Sequence, residues 1–154
     1  MNRREVIAGL GGAAAWPLAV RAQQRDRVRR IGVFMLLDEN DPVAKSYLSA
    51  FTQALADLGW ADGRNVRMDV RYAGDDINRT RAFAQELVGL HPDIILARST
   101  PAAVALQRET RTIPIVFDGV PDPVARGMVP RLDRPGGNVT GFRHLGSLAG
   151  RQVA

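Results

Sequence analysis

The chain of 154 residues has no cysteine, and of its 21 basic residues only Lys45 is a lysine. Without cysteine there is no disulfide framework, no thiolate metal site and no thiol for the lipid anchor of a bacterial lipoprotein. The two histidines, His91 and His144, are far apart without a ligand-like spacing, which argues against a metal centre. Aromatic residues make up 6% of the chain, and no dense basic run is interleaved with them. The footprint of a nucleic-acid binder is therefore missing, and no nucleic-acid partner is expected. No cofactor is expected either. Gly9, Gly11 and Gly12 sit inside an apolar run preceded only by charged residues, where a dinucleotide fingerprint needs a strand, and the turn Pro135-Gly136-Gly137-Asn138 lacks the Gly-Lys-Ser/Thr ending of a phosphate loop.

What is present begins with a three-part export signal over residues 1–22. Arg3 and Arg4 form its charged start, residues 6–20 its apolar centre, and Val20-Arg21-Ala22 its cleavage site before Gln23. The apolar run is shorter than the roughly 20 residues a membrane-spanning helix needs. Paired arginines ahead of a Gly- and Ala-rich segment resemble a twin-arginine signal. A periplasmic location follows as an expectation. Removing residues 1–22 takes Arg3, Arg4, Arg21 and Glu5, so the formal charge falls from +5 to +3, which is ordinary.

The rest alternates strand and helix signals. Residues 31–37 are a continuous apolar run, the pattern of a central strand covered on both faces. The cluster from Arg25 to Arg30 before it reads as a solvated lead-in. Asp41-Pro42 starts a helix over residues 43–58, with Tyr47, Leu48, Phe51, Leu55 and Leu58 at three- and four-residue steps until Gly59. Residues 66–72 alternate apolar with charged, as an edge strand does. A helix opens at Asp76 and carries Phe83, Leu87, Val88 and Leu90; His91-Pro92-Asp93 ends it, and residues 94–97 form a third strand. Thr100 caps the next helix with Pro101 at its first position, and residues 113–117 form a fourth strand. Asp122-Pro123 caps a short helix over residues 128–132, and residues 138–142 form the last strand. Strands alternating with helices require right-handed crossovers, hence an α/β doubly wound parallel sheet of five strands. With the alternating strand at one edge and the first strand central, the order is 2-1-3-4-5, which places a binding crevice at the carboxyl ends of strands one, three and four.

Taken in order, Leu58-Gly59-Trp60, Gly63-Arg64-Asn65-Val66, Pro92-Asp93-Ile94-Ile95, Thr100-Pro101-Ala102, Ile113-Pro114-Ile115-Val116-Phe117, Asp122-Pro123-Val124 and the run from Arg134 to Gly141 resemble one family. It is the ABC-transporter substrate-binding family of the type I periplasmic fold, which includes tryptophan-binding members. The resemblance implies a non-enzymatic receptor that binds a small solute between two α/β lobes and hands it to an ABC permease in the inner membrane. It implies one lobe over residues 23–142 and the start of a hinge or crossover over residues 143–154, with a second lobe expected beyond. At Pro121 many relatives carry a hydroxyl residue, and at Arg98 a small or amide residue.

The expected ligand-binding residues are Leu37, Asp38, Arg98, Ser99, Thr100, Gly119, Val120 and Asp122. Ser99 and Thr100 lie where a strand hands over to a helix, whose free N–H groups stabilise a carboxylate. Arg98 is placed to pair with the same carboxylate in a two-pronged way. Asp122 reads as a helix cap at the cleft. Leu37, Asp38 and Glu39 complete the rim; the two adjacent acids point different ways, and no nucleophile accompanies them. These residues point to a solute with a carboxylate, and the resemblance implies an amino acid or another carboxylate. Two other classes stay open: an exported flavodoxin-like or hydrolase-like α/β enzyme, weakened by the lack of a Gly-x-Ser-x-Gly elbow, and the ligand-binding domain of a signalling protein.

Overall fold

The structure is a computed structural model that describes residues 27–131 and 133–143. The export signal expected over residues 1–22 and the segment expected from 144 onward lie outside the described residues. The elements run β1 (Arg29–Met35), α1 (Pro42–Asp57), β2 (Val66–Tyr72), α2 (Ile77–Gly89), β3 (Ile94–Arg98), α3 (Thr100–Glu109), β4 (Ile115–Val120) and β5 (Val139–Arg143). The strands form one sheet in the order β2-β1-β3-β4-β5, and every pairing is parallel.

Local chemistry fixes the helix ends. Asp41 accepts a hydrogen bond from the Val43 N–H at 2.7 Å, and Pro42 opens α1 with its backbone angle already helical. Gly59 follows the helix at φ +87°, a left-handed angle that costs other residues. Leu58 is 76% exposed at the helix end, so the apolar stripe of α1 stops at Leu55 and not at Leu58. Asp76 caps α2 by accepting from the Asn78 and Arg79 N–H groups at 2.8 and 3.0 Å. Both helices then lay an apolar face on the sheet.

The two faces are covered unequally. Val33, Met35 and Leu96 pack with Ala44, Tyr47, Leu48 and Phe51 of α1 on one side. Phe34, Ile95, Ile115 and Phe117 pack with Leu87 of α2 and Leu106 of α3 on the other. β5 closes on β4 with no space to spare: a side chain on Gly141 would collide with the Phe117 carbonyl.

Three expectations about the elements need correction. β1 starts at Arg29 and ends at Met35, so Arg29 and Arg30 belong to the strand and are not a solvated lead-in. Asp93 accepts from the Arg30 N–H at 2.8 Å, and Arg30 Nε donates to Asp69 at 2.6 Å. The fourth strand runs over 115–120 and not 113–117. Thr110 Oγ1 accepts from the Thr112 and Ile113 N–H groups and holds that stretch as a turn, and Pro114 has no N–H to give a ladder. Among the described residues no helix forms near Met128. Residues 123–127 are turns, Gly127 has φ +67°, and Pro130 blocks continuation, while buried Met128 and Val129 plug the core; Leu132 lies outside the described residues.

Candidate functional site

The register brings three strand ends to one level. Met35 pairs with Arg98 and Arg98 with Asp118, so β1, β3 and β4 open a common crevice at their carboxyl ends. In it Arg98 Nη1 donates to Asp118 Oδ2 at 2.7 Å, with the two side chains 32% and 30% exposed. The guanidinium lies over the ring of Tyr47, with Cζ 4.1 Å from the ring centre, a cation held on an aromatic face. Arg98 was expected to stand ready for a ligand carboxylate; it is already engaged. Only Nη1 of the guanidinium reaches an acidic partner among the described residues, and the Tyr47 hydroxyl interacts with both members of the pair.

Ser99 turns the chain from β3 into α3 with φ 109° and ψ 158°, a region that belongs to glycine. It occupies the cap position of α3, which makes Thr100 the first helical residue and corrects the expectation that Thr100 caps. A cap needs extended backbone before the helix, and Thr100 is already inside it. The Ser99 side chain does not cap either. Its Oγ is buried with no hydrogen-bond partner. The backbone around it is held: the Ser99 N–H donates to the Asp118 carbonyl at 3.1 Å, and the Ser99 carbonyl accepts from the Ala103 N–H at 3.2 Å. The first-turn N–H groups of α3 have no intrahelical acceptor, and Pro101 has none to give. A buried orphan hydroxyl beside free helix-end donors is an arrangement that an incoming anion would complete.

The end of β4 departs from the expected site. Between Phe117 and Val120 the strand carries one residue more than β5 opposite, a bulge made at Asp118 and Gly119, where Gly119 has φ +74°. The extra residue puts Phe117 and Val120 on the same side. Val120 is therefore wholly buried in the core with Phe117 and does not line the crevice. Gly119 does, since a side chain there would lie 3.9 Å from Arg98 Nη1. Asp122 accepts from the Ala125 N–H at 3.0 Å and so caps a turn, not a helix. Leu37 packs against the α1 cluster, half-buried. Asp38 leans toward Gly74, where a side chain would meet its Oδ1 at 3.2 Å. With Glu39 it borders an open hollow of about 600 Å³ on the β2 side, together with Tyr72, Arg71 and Arg79. The structure thus gathers Arg98, Ser99, Thr100 and Gly119, and turns Asp38 away from them.

Two residues of the crevice were not anticipated. Tyr47 reads in sequence as one apolar step of a helix, and Asp118 as the tail of an apolar strand. An isolated glycine at 119 after a strand pattern is the signal that marks a bulge. Burial first, and then the Asp118 carboxylate, push the Tyr47 hydroxyl pKa up, which keeps it a neutral donor. Among the described residues no three His, Asp or Glu side chains gather in a way that could hold a metal ion, and no helix is long and apolar enough to cross a membrane.

Residues 30–151 match the family model of ABC transporter substrate binding proteins. The tyrosine-binding protein of Clostridioides difficile (strain R20291) is 38% identical over 113 residues, which are 73% of this chain and 32% of that protein. A conserved domain protein from Vibrio cholerae superposes with a TM-score of 0.72 at 32% identity, over 77% of this chain and 40% of that one. The ligand-free, open form of a substrate binding protein with adhesive properties from Clostridium difficile gives 0.69 at 36%, over 75% and 39%. An ABC domain in complex with L-Trp from Streptococcus pneumonia gives 0.68 at 28%, over 75% and 38%. The chain spans about a third of the length of the tyrosine-binding protein and about two fifths of the solved structures. With four fifths of its length under the family model and a five-stranded lobe that superposes on these relatives, the chain belongs to the ABC transporter substrate binding protein family.

Proposed function

We propose that this chain supplies one wall of a solute receptor that works without catalysis, captures an amino acid outside the inner membrane and delivers it to an ABC permease. The carboxylate of the solute is held at Ser99 and the first turn of α3, with the guanidinium of Arg98 beside it. The carrying observation is the Ser99 hydroxyl, buried without a partner on backbone angles that only glycine adopts without strain. Strain of this kind persists where the surroundings over-determine it, and it concentrates at ligand clamps. The relatives support the ligand class, since one is a tyrosine-binding protein and another is solved with L-Trp. Export through the signal over residues 1–22, with cleavage before Gln23, belongs to the same reading, and so does a second lobe that closes over the solute.

Titrating the chain with a panel of L-amino acids while following backbone amide resonances tests it. One of them shifts the Thr100 and Ala102 amides, and Ser99→Ala, which removes only the hydroxyl, weakens that solute about tenfold, the loss of one charge-assisted hydrogen bond of on the order of 1.5 kcal/mol. A response at the Asp38 hollow with none at Thr100 would place the site elsewhere.

A further inference from the structure

We infer that the groove between α2 and α3 is a second binding site, separate from the crevice, and that it takes a small aliphatic carboxylate. The inference stands apart from the function proposed above, because none of the residues that form the groove is among those given to the solute.

α2 and α3 lie side by side over one face of the sheet and bury Leu87 and Leu106 in the shared core. On their outer side they leave a hollow of about 180 Å³. Its walls are aliphatic, with Ile77 of α2 facing Pro101 and Val104 of α3. Ala105 brings only a methyl group to the lining, which keeps the space open. Ile77 is 74% exposed, an apolar side chain that the fold leaves uncovered beside other apolar surface. The one buried polar side chain of the lining asks for nothing, since the Thr80 hydroxyl already donates to the Asp76 carbonyl at 2.8 Å. The body of a ligand therefore meets hydrocarbon and no unmet hydrogen bond.

The charge comes from Arg81 and Arg108, one on each helix, which border the hollow. Both are exposed, and neither meets a carboxylate among the described residues, unlike Arg30, Arg71 and Arg98, each of which has an acidic partner. Arg108 lies in the last turn of α3, where the negative helix end favours a cation on its own account. Arg81 has no such reason: it lies in the first half of α2, nearer the positive end. Two guanidinium groups flanking an apolar hollow complement an anion with an alkyl tail, because each fork matches a carboxylate. Glu109 also lines the hollow and repels a second negative charge, so the ligand carries one carboxylate and not two. The volume lies below the roughly 300 Å³ at which drug-sized sites begin, so the tail is a short chain and not a ring system.

Hexanoate, hexanol and hexylamine share one chain and carry a negative, a neutral and a positive head. Each is titrated into the 154-residue chain and followed at the Val104 and Ala105 amides, with the rest of the amide spectrum reporting that each variant is folded. Hexanoate shifts both amides and binds about fivefold more tightly than hexanol, the size of effect that two exposed ion pairs supply, while hexylamine shifts neither. Arg81→Gln and Arg108→Gln each reduce that preference about twofold, and together they abolish it while hexanol binds as before. Ala105→Leu fills the hollow and removes binding of both. Equal binding of hexanoate and hexanol in the unaltered chain, or hexanoate binding that survives Ala105→Leu, overturns the inference. A shift at Thr100 with none at Val104 also overturns it, since the carboxylate would then go to the crevice, and it leaves the receptor function standing. Absence of any shift at Val104 and Ala105 overturns the inference alone.

Discussion

The two ends of the sheet are built to opposite standards. At the amino end nearly every polar group is used. Asp93 takes the Arg30 N–H at 2.8 Å and the guanidinium groups of Arg29 and Arg27 at 3.1 and 3.3 Å. Arg30 spans to Asp69 and to the Leu90 carbonyl, Asp62 takes the Met68 N–H, and Asn65 and Asn138 tie turns with their amides. At the carboxyl end a hydroxyl is buried unpaired, a serine sits on glycine's backbone angles, and an ion pair uses one of its contacts. The amino end holds the fold together, and the carboxyl end leaves bonds unmade, as the proposed receptor function requires.

The comparison breaks hardest at Asp93. Asp93→Ala strips an acceptor from a backbone N–H and two guanidinium groups at a site only 22% exposed, and a loss of about 2 kcal/mol of stability is expected in urea denaturation. A variant as stable as the parent would mean that the amino end is not the anchor. Ser99→Gly should move stability the other way. Glycine takes φ 109° without strain and removes the unpaired hydroxyl, so a gain of about 1 kcal/mol is expected in the same measurement, with amino-acid binding weakened. Gain and loss together would identify the strain as one kept for binding.

Acid sharpens the contrast more gently. The Arg30 guanidinium holds the Asp69 carboxyl below the usual carboxylate range, and the Arg30 backbone N–H, with Arg29 and Arg27 behind it, does the same for Asp93. A depressed folded-state pKa contributes stability that is full above the unfolded value of about 3.9 and is lost as pH falls through the lower folded values. Melting temperature should therefore hold from neutral pH to about 4.5 and drop below 4, and Asp93→Asn should flatten that drop. An unchanged slope in the variant would assign the acid sensitivity elsewhere.

Much of the fold was legible because periodicity reports burial. The alternation of Val66 to Tyr72 gave β2 to the residue, and the unbroken run from Ile31 placed β1 inside the sheet, between β2 and β3. Failures came where a single residue changes direction. Gly119 marks a bulge, but nothing local tells which way the side chains around it then turn, and that decides that Val120 enters the core while Asp118 faces the crevice. Arg29 and Arg30 look like solvated charge until Asp93 and Asp69, dozens of residues away, are brought beside them. The helix expected near Met128 had apolar residues to bury, and Met128 and Val129 are buried, but without a helix. The site was half legible: Ser99 and Thr100 follow from a strand meeting a helix, whereas Tyr47 and Asp118 join it only through tertiary placement.

The strand order has a consequence for how the chain is made. After β1 and β2 pair, β3, β4 and β5 are added one after another to the same side, and none has to be wedged between two strands already joined. The sheet can therefore lengthen in step with synthesis, which proceeds from the amino terminus, and each strand finds its partner already in place when it emerges. What such growth leaves behind is an open margin: β5 ends the sheet with Phe142 72% exposed and main-chain groups unpaired along its outer side among the described residues. Until something covers that margin, a nascent lobe of this kind is at risk of sticking to other chains along β5, and ribosome-bound intermediates should be prone to aggregate once β4 and β5 have emerged.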